Sequence, residues 1–282
     1  MIALIGGLGA ALSWAMATLA ATRASRSVGP FVATAWVMML GLILVAPLVA
    51  WSGIPPELNR GSVGWLALSG GANVLGIGVI YTALRSGLVG IISAIVSAEG
   101  AIAALIAISV GEPVSAGLVV AFAVITAGVM VTAGASPSTE GPVAARHGAS
   151  LALAAAAAVI FGVSLYATGR ASTLPAIWVA LPARLIGTVV VALPLATAGR
   201  LRVPFTTLRF IAVAAVGEVL GFLSFSWGSR EGIAVASVCA APVAVFAATG
   251  AFLLFHERLG RLQIAGILVT LVGVAAIGAL AR

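Results

Sequence analysis

The segment GEPVSAGLVVAFAVITAGVMV at residues 111–131 returns in altered form as HERLGRLQIAGILVTLVGVAA at residues 256–276. Alignment of the two segments pairs Glu112 with Glu257 near the start of each. Any two helices rich in Gly, Ala and Val align to some degree, but a glutamate shared at the same boundary favours a true internal repeat. Since about 20 apolar residues suffice for a helix to cross a bilayer, the repeated unit is predicted to end in a membrane-spanning helix.

The composition of the chain fits only a protein that lies mostly in a bilayer. Of its 282 residues, 62% are hydrophobic and 7% are charged, and the mean hydropathy is +1.24. An average soluble domain has about 25% charged residues, so this chain lacks the charged surface that would cover a soluble core. The net charge of +7 comes from arginines scattered singly among short loops, which is typical of membrane topology signals rather than of a nucleic-acid site.

Apolar runs of spanning length occur ten times, so we predict an all-α integral membrane protein with ten transmembrane helices. Residues 81–94 and 225–238 also align, so the repeat extends upstream of segments 111–131 and 256–276. Five spans in each half is an odd number, which makes the second repeat inverted in the membrane and predicts a central cavity between the repeats. The predicted units are a first repeat at 1–134, a linker at 135–148 and a second repeat at 149–282. The predicted spans are 2–21, 30–51, 63–83, 88–110, 114–134, 149–169, 175–198, 208–227, 233–255 and 261–281.

Four short motifs over nearly the whole chain resemble the drug/metabolite transporter superfamily, specifically its EamA-type proteins. They are ALSWAMATLA with Trp14, YTALRSG with Tyr81, the Gly-Glu type span closure at Glu112 and Glu257, and ALPARLIG with Arg184. The resemblance implies two five-helix repeats and transport of small molecules, and it is closest to amino-acid exporters. Each motif is weak alone, and together they are specific for the superfamily but not for a substrate.

The chain departs from the family pattern in the first repeat. Trp36 or a neighbour stands where the family arginine is expected, so any arginine role is asymmetric. Glu99-Gly100 stands where many members have Glu-Pro, whereas Pro242 keeps a proline in the matching span of the second repeat.

Three charges, those of Glu99, Arg184 and Glu218, fall near the centres of predicted spans. A charge at mid-membrane costs at least about 2.5–3.5 kcal/mol and is by default a functional-site hypothesis. Arg184 and Glu218 lie at a similar depth of about 14 Å in consecutive antiparallel spans, so an ion pair is allowed. The pair either locks two helices together or meets a zwitterionic substrate. Glu99 has no evident partner; it either carries a proton in coupled transport or donates a hydrogen bond to a backbone carbonyl.

Softer candidates for the substrate cavity are polar or aromatic residues within spans. Asn73 is polar inside the third span, and such groups usually face the bundle interior or a wet cavity. Phe161 matches Trp14 under the repeat, so aromatics on both symmetry mates are expected to line the cavity; plain helix packing is the alternative. Tyr81 and Tyr166 complete this set. Glu112 and Glu257 are interpreted instead as groups that cap helices or fix turns.

Neither a metal site nor a cofactor nor a catalytic residue is predicted. Cys239 is the single cysteine, and His147 and His256 lie outside the predicted spans, so the sequence offers no Cys or His cluster. It contains no P-loop glycine motif and no nucleophile–base set. The chain is therefore not expected to be an enzyme.

The orientation signals conflict. Family members usually have both termini in the cytoplasm, and ten spans put both termini on one side. The loops that would then be external hold nine arginines and the cytoplasmic ones four, which favours both termini outside by the positive-inside rule. The nine are Arg23, Arg26, Arg85, Arg146, Arg200, Arg202, Arg209, Arg258 and Arg261; the four are Arg60, Arg170, Arg230 and Arg282.

The sequence thus predicts a secondary transporter in a bacterial cell (inner) membrane that exports small polar or amphipathic metabolites, amino acids among them. Its expected partners are a small-molecule substrate, the lipid bilayer and protons as coupling ion; the oligomeric state is left open. Two alternatives are a membrane-embedded enzyme and a passive channel, each with Glu99 and Glu218 at its site.

Overall fold

A computed structural model describes residues 1–84, 89–134, 147–255 and 260–280. These residues form helices and connecting segments, and none of them lies in a strand. The α-helices are α1 (Ile2–Val28), α2 (Pro30–Ser52), α3 (Arg60–Leu84), α4 (Val89–Val96), α5 (Glu99–Ser109), α6 (Ala116–Gly134), α7 (His147–Arg170), α8 (Ala176–Gly187), α9 (Leu193–Thr197), α10 (Phe205–Ser229), α11 (Ile233–Ala240), α12 (Val243–Phe255) and α13 (Arg261–Leu280).

Nine stretches of the described residues are long and apolar enough to cross a bilayer. This finding confirms an integral multi-pass membrane protein built of helices. One of the stretches joins α8 to α9 through a π-helical turn, Thr188–Ala192, and another joins α11 to α12. The nine are Ile2–Val28, Pro30–Ser52, Arg60–Ala83, Ala116–Gly134, Gly148–Thr173, Ala176–Thr197, Phe205–Ser229, Ile233–Gly250 and Arg261–Leu280.

The predicted fourth span, 88–110, differs from the prediction because it is not one continuous helix. It is divided into α4 and α5, and neither reaches spanning length alone. At the break the Ser97 hydroxyl donates to the Ser93 carbonyl, and the Ala98 N–H turns back to the carbonyl of Ile95 only three residues earlier. This tighter turn ends α4 without a proline.

Several sequence predictions fall outside the described residues. They concern residues 135–146 of the linker, the side chains of Arg85 and Arg146, and the segment that holds His256, Glu257 and Arg258.

Three antiparallel helix pairs dominate the packing: α1 with α10, α3 with α7, and α6 with α13. In the first pair Gly6 lies against Gly228, and Gly217 lies against Ser13 and Ala17. Because lipid tails are as apolar as the helices, membrane helices associate through close packing of small residues rather than through burial of large ones. Each of the three pairs joins a helix that precedes residue 135 to one that follows it.

The α1–α10 contact predicts a specific effect of added volume. A Cβ atom at Gly6 would lie 2.6 Å from the Gly228 nitrogen and 2.7 Å from the Ser224 carbonyl oxygen. We expect Gly6→Ala to lower the free energy of unfolding by about 1–3 kcal/mol, the usual cost of overpacking. Gly71→Ala is the matched control, since no atom lies within 4 Å of a Cβ placed there. Thermal unfolding in detergent checks this; equal midpoints for the two variants would contradict the packing described.

The two ends of the bundle are defined by the contacts between helix termini. At the Met1 end, α1 begins and α10 ends, and Arg230 donates from Nε to the Ser172 carbonyl at 2.9 Å and from Nη2 to the Leu174 carbonyl at 3.0 Å. At the Gly29 end, α2 begins, and the Trp36 indole N–H donates to the Leu201 carbonyl at 3.0 Å.

Candidate functional site: a cavity inside the bundle

A cavity of about 810 Å³ lies inside the bundle, lined by helices from both halves of the chain. Its size falls within the range of about 300–1,000 Å³ that is typical of small-molecule sites, which are mostly apolar with a few polar groups. Its lining is aliphatic except for three aromatic and eight polar residues, which are Trp14, Phe161, Phe222, Thr18, Asn73, Ser93, Ser97, Glu99, Ser164, Glu218 and Gln263.

Five of the eight residues that the sequence singled out lie in this lining: Trp14, Asn73, Glu99, Phe161 and Glu218. They come from five helices that are distant along the chain, and the fold brings them around one space. Trp14 and Phe161, which the repeat alignment pairs, are both among them.

Arg184 is not in the cavity lining, but it forms an ion pair with Glu218, which is. Its Nη2 lies 3.1 Å from Oε2 of Glu218, and its side chain is fully buried whereas 31% of the Glu218 side chain is exposed. Arg184 packs against Gly41, where a Cβ would lie 2.7 Å from the arginine Cδ, and its guanidinium lies 5.0 Å from the ring centroid of Phe222. The ion pair therefore gives the buried cation a counter-charge and presents a carboxylate to the cavity, while the Arg184 Nε is buried without a hydrogen-bond partner among the described residues.

Tyr81 and Tyr166 lie outside the lining because other partners hold them. The Tyr81 hydroxyl bonds to that of Thr34 at 2.8 Å, at the contact between α2 and α3. Tyr166 lies on another face of α7 from Phe161, and its hydroxyl accepts a hydrogen bond from Arg170 at 3.1 Å. Its ring stacks edge-on against Trp65.

Glu99 is the first residue of α5, directly after the break between α4 and α5. Its side chain lines the cavity. Within the described part of the chain, Glu99 forms no ion pair, and its carboxylate accepts no hydrogen bond. Glu99 and Glu218 repel each other electrostatically across the cavity. An unpaired carboxyl group thus stands where a solute would lie.

Glu112 performs the capping role that the sequence suggested, but on a helix from the other half of the chain. Its two carboxylate oxygens accept hydrogen bonds from the backbone N–H groups of Ile233 at 3.1 Å and Ala234 at 3.0 Å, at the start of α11. A helix N-terminus carries unpaired N–H groups and a positive dipole, so a carboxylate stabilises it. This contact joins α5 to α11 at the Met1 end.

Most of the remaining lining residues were not predicted as cavity residues from the sequence, although helical spacing predicts several of them. Residues three or four apart share a helix face. Thr18 is four residues after Trp14, Ile77 four after Asn73, Ser164 three after Phe161, and Phe222 four after Glu218. Extending each singled-out residue by one turn would have predicted these neighbours.

A shallower depression of about 580 Å³ lies at the Met1 end. Arg170, Arg230, Glu57 and Ser172 line it, together with Ile233 at the start of α11. The α11 N-terminus that Glu112 caps therefore borders this depression.

The family comparison decides the class of the protein. Residues 1–134 match the model of the EamA-like transporter family. These residues belong to that family. The match confirms the resemblance to the drug/metabolite transporter superfamily that the motifs indicated. EamA-like proteins are transporters rather than enzymes, and the matched residues supply Trp14, Asn73 and Glu99 to the cavity lining.

The fold of nearly the whole chain is shared with a solved structure. A solved structure described as "Crystal structure of protein" superposes with a TM-score of 0.79 at 18% sequence identity, over 99% of this chain and 97% of that one. At this identity the likeness concerns the fold alone. No curated protein sequence matches the chain.

Proposed function

We propose that the protein is a secondary transporter that exports small polar or amphipathic metabolites, amino acids and related amines among them, by alternating access. The observation that carries the proposal is the cavity, which places Glu99 and Glu218 inside an apolar bundle and is lined by both halves of the chain. An ionisable residue within a membrane usually marks a substrate or ion pathway. We further propose a bacterial inner-membrane location.

The helix contacts support an inverted repeat of five plus five spans. Under the repeat, α1 corresponds to α7 and α3 to α10, so the α1–α10 contact and the α3–α7 contact are symmetry mates. α4 and α5 together correspond to α11 and α12. The first pair is broken at residues 97–98 and the second at 241–242, which the alignment of Ser93 with Ser237 makes equivalent. We therefore take α4 and α5 as a tenth, broken crossing.

The contact between α6 and α13 supports the same symmetry at the level of single residues. A Cβ at Gly128 would meet Thr270, and a Cβ at Gly273 would meet Ile125. The alignment that pairs Glu112 with Glu257 also pairs Gly128 with Gly273. The contact of Gly128 with Thr270 is therefore equivalent to the contact of Gly273 with Ile125 when α6 and α13 exchange places.

The described contacts close the bundle at the Met1 end, and the cavity lining reaches toward the Gly29 end. At the Met1 end α5 packs on α11 and Glu112 caps α11. Toward the Gly29 end the cavity lining continues to Ala133 and Gln263. The Gly29 end also holds the arginine-rich loops, so the positive-inside rule makes it cytoplasmic. Together these features support a conformation that is open inward, as an exporter requires for loading.

The cap on α11 provides a test of this closure. Glu112→Ala removes both hydrogen bonds to the α11 N-terminus, a loss of about 1–2 kcal/mol, so a loosened α11 becomes about 5–30 times more populated. Cys239 of α11 is buried and is the single cysteine of the chain. We expect N-ethylmaleimide to label it faster by about that factor. Glu231→Ala, which removes an exposed carboxylate at the same end, is the control; equal rates in both variants would contradict the closure.

Transport itself is tested with purified protein in liposomes. We expect saturable uptake of labelled amino acids or amines that depends on an imposed pH gradient, because Glu99 is positioned to exchange a proton. Unsaturable flux would indicate a channel, and the absence of flux for any metabolite class would overturn the proposal.

Reporters fused to the C-terminus, active only in the cytoplasm or only outside, test the proposed orientation. Activity of the cytoplasmic reporter would overturn the orientation with both termini outside.

A further inference from the structure

Five polar side chains of the cavity lining present hydrogen-bond acceptors. Glu99 presents an unpaired carboxylate, and Glu218 uses only Oε2 to bind Arg184. The hydroxyl groups of Ser97 and Ser164 already donate to the carbonyls of Ser93 and Ser69, at 2.7 and 2.8 Å, which leaves their oxygens able to accept. The Asn73 side-chain oxygen is buried and has no hydrogen-bond partner within the described residues. A ligand that donates hydrogen bonds is complementary to these five groups.

The described lining of the cavity offers no cation to a ligand. None of the described lining residues is Lys, Arg or His. Arg184 is the nearest candidate, but its side chain is fully buried behind Glu218 and enclosed by Met38, Gly41 and Phe222. A carboxylate or phosphate on a ligand would therefore lose its hydration without gaining a charged partner, and burial of an unpaired anion is costly.

The remaining lining suits an apolar body next to a positive charge. Trp14, Phe161 and Phe222 line the cavity, and aromatic faces attract cations that lie within about 6 Å of the ring centroid. The aliphatic lining residues supply surface for a hydrocarbon group.

We infer that the cavity selects organic amines, with a protonated amino group bound at the Glu99 side and a hydrocarbon or aromatic body against the apolar lining, over carboxylate-bearing analogues of the same body. This inference rests on the proposed function for the site and narrows its substrate class. An ammonium group supplies three hydrogen-bond donors and one positive charge, which matches the carboxylates and free acceptors of the lining. Among the metabolites proposed above, amines rank before amino acids.

Three ligands with one phenyl body separate the possibilities. They are 2-phenylethylamine with the amine alone, phenylalanine with both groups, and 3-phenylpropionate with the carboxylate alone. Binding to the purified full chain is measured by titration calorimetry. We expect 2-phenylethylamine to bind about ten- to a hundredfold more tightly than either other ligand. 3-Phenylpropionate lacks the charge-assisted hydrogen bond to Glu99, and phenylalanine buries a carboxylate without a charged partner. Equal or tighter binding of phenylalanine or 3-phenylpropionate, or no binding of any ligand, would overturn the inference.

The variant Glu99→Gln is expected to lose most of this preference, with amine affinity reduced about tenfold or more. Glu231→Gln is the matched control, since it neutralises an exposed glutamate outside the cavity. An unchanged amine affinity in folded Glu99→Gln protein would contradict the assignment. The wild-type comparison of the three ligands stands even if this variant does not fold.

The binding experiment and the transport experiment can each fail without the other, so they test the ligand class and the proposed function separately. If the amine binds with the expected preference but no ligand crosses the liposome membrane, the proposed function falls and the ligand class stands. If phenylalanine is carried in preference to the amine, the proposed function stands and the ligand class falls.

Discussion

Glu99→Gln is expected to slow transport driven by a pH gradient, with initial rates reduced by about tenfold to a hundredfold. The substitution keeps the shape of the side chain but removes both the exchangeable proton and the negative charge. Loss of a hydrogen bond to a charged group costs about 1.5–3 kcal/mol, which corresponds to this range of rates. Initial uptake into liposomes of a labelled amine, with and without the gradient, measures the effect.

The matched variant is Glu99→Asp, which keeps a carboxyl group on a side chain shorter by one methylene. We expect Glu99→Asp to retain gradient dependence at a lower rate, because the proton site is displaced rather than removed. Wild-type rates in Glu99→Gln would show that the carboxyl group of Glu99 is not the coupling site. Glu218 is the weaker candidate for that role because Arg184 holds its charge in an ion pair at 3.1 Å.

Arg184→Met is expected to destabilise the protein by about 1–3 kcal/mol, less than for a fully buried ion pair because the Glu218 side chain is 31% exposed. Methionine fills a similar apolar volume beside Gly41 and Phe222, so the loss arises mainly from the charge left on Glu218. The double variant Arg184→Met with Glu218→Gln removes both charges. We expect it to recover most of the lost stability. Thermal unfolding in detergent measures all three proteins.

The control for this series is Arg202→Gln, since Arg202 is an exposed arginine at the Gly29 end. Its removal is expected to change stability by less than about 0.5 kcal/mol. If the double variant were as unstable as Arg184→Met alone, the unpaired charge would not be the cause. Packing of the arginine stem against Gly41 would then explain the loss.

Most of the membrane architecture could be predicted because apolar length directly reports bilayer thickness. The depth argument for Arg184 and Glu218 also matched the structure, since two consecutive spans are antiparallel neighbours and residues at equal depth can meet. By contrast, the partners of Glu112 are 121 and 122 residues away along the chain. A capping carboxylate can be recognised from local sequence, but the helix that it caps depends on tertiary packing.

The break in the fourth span is a second feature that could not be predicted from the sequence. In the second repeat Pro242 marks the equivalent break, because a proline lacks the N–H that would continue the helix. In the first repeat the break depends on the Ser97 hydroxyl and on a single tightened turn at Ala98. Both residues are common inside membrane helices, so composition does not reveal it. The contacts of Tyr166 could not be predicted for a similar reason, since only the fold brings Trp65 and Arg170 to its ring and hydroxyl.

Helices α1, α3 and α6 of the first half pack mainly on helices of the second half, which are synthesised later. The main partner of α1 is α10, which begins about 200 residues later. At about 5–20 residues per second, α1 resides in the membrane for roughly 10–40 s before α10 has been made. During that interval its small-residue face, with Gly6 and Ala17, lies against lipid or other parts of the nascent chain. The cavity is therefore assembled late, when nearly three-quarters of the chain has already been inserted.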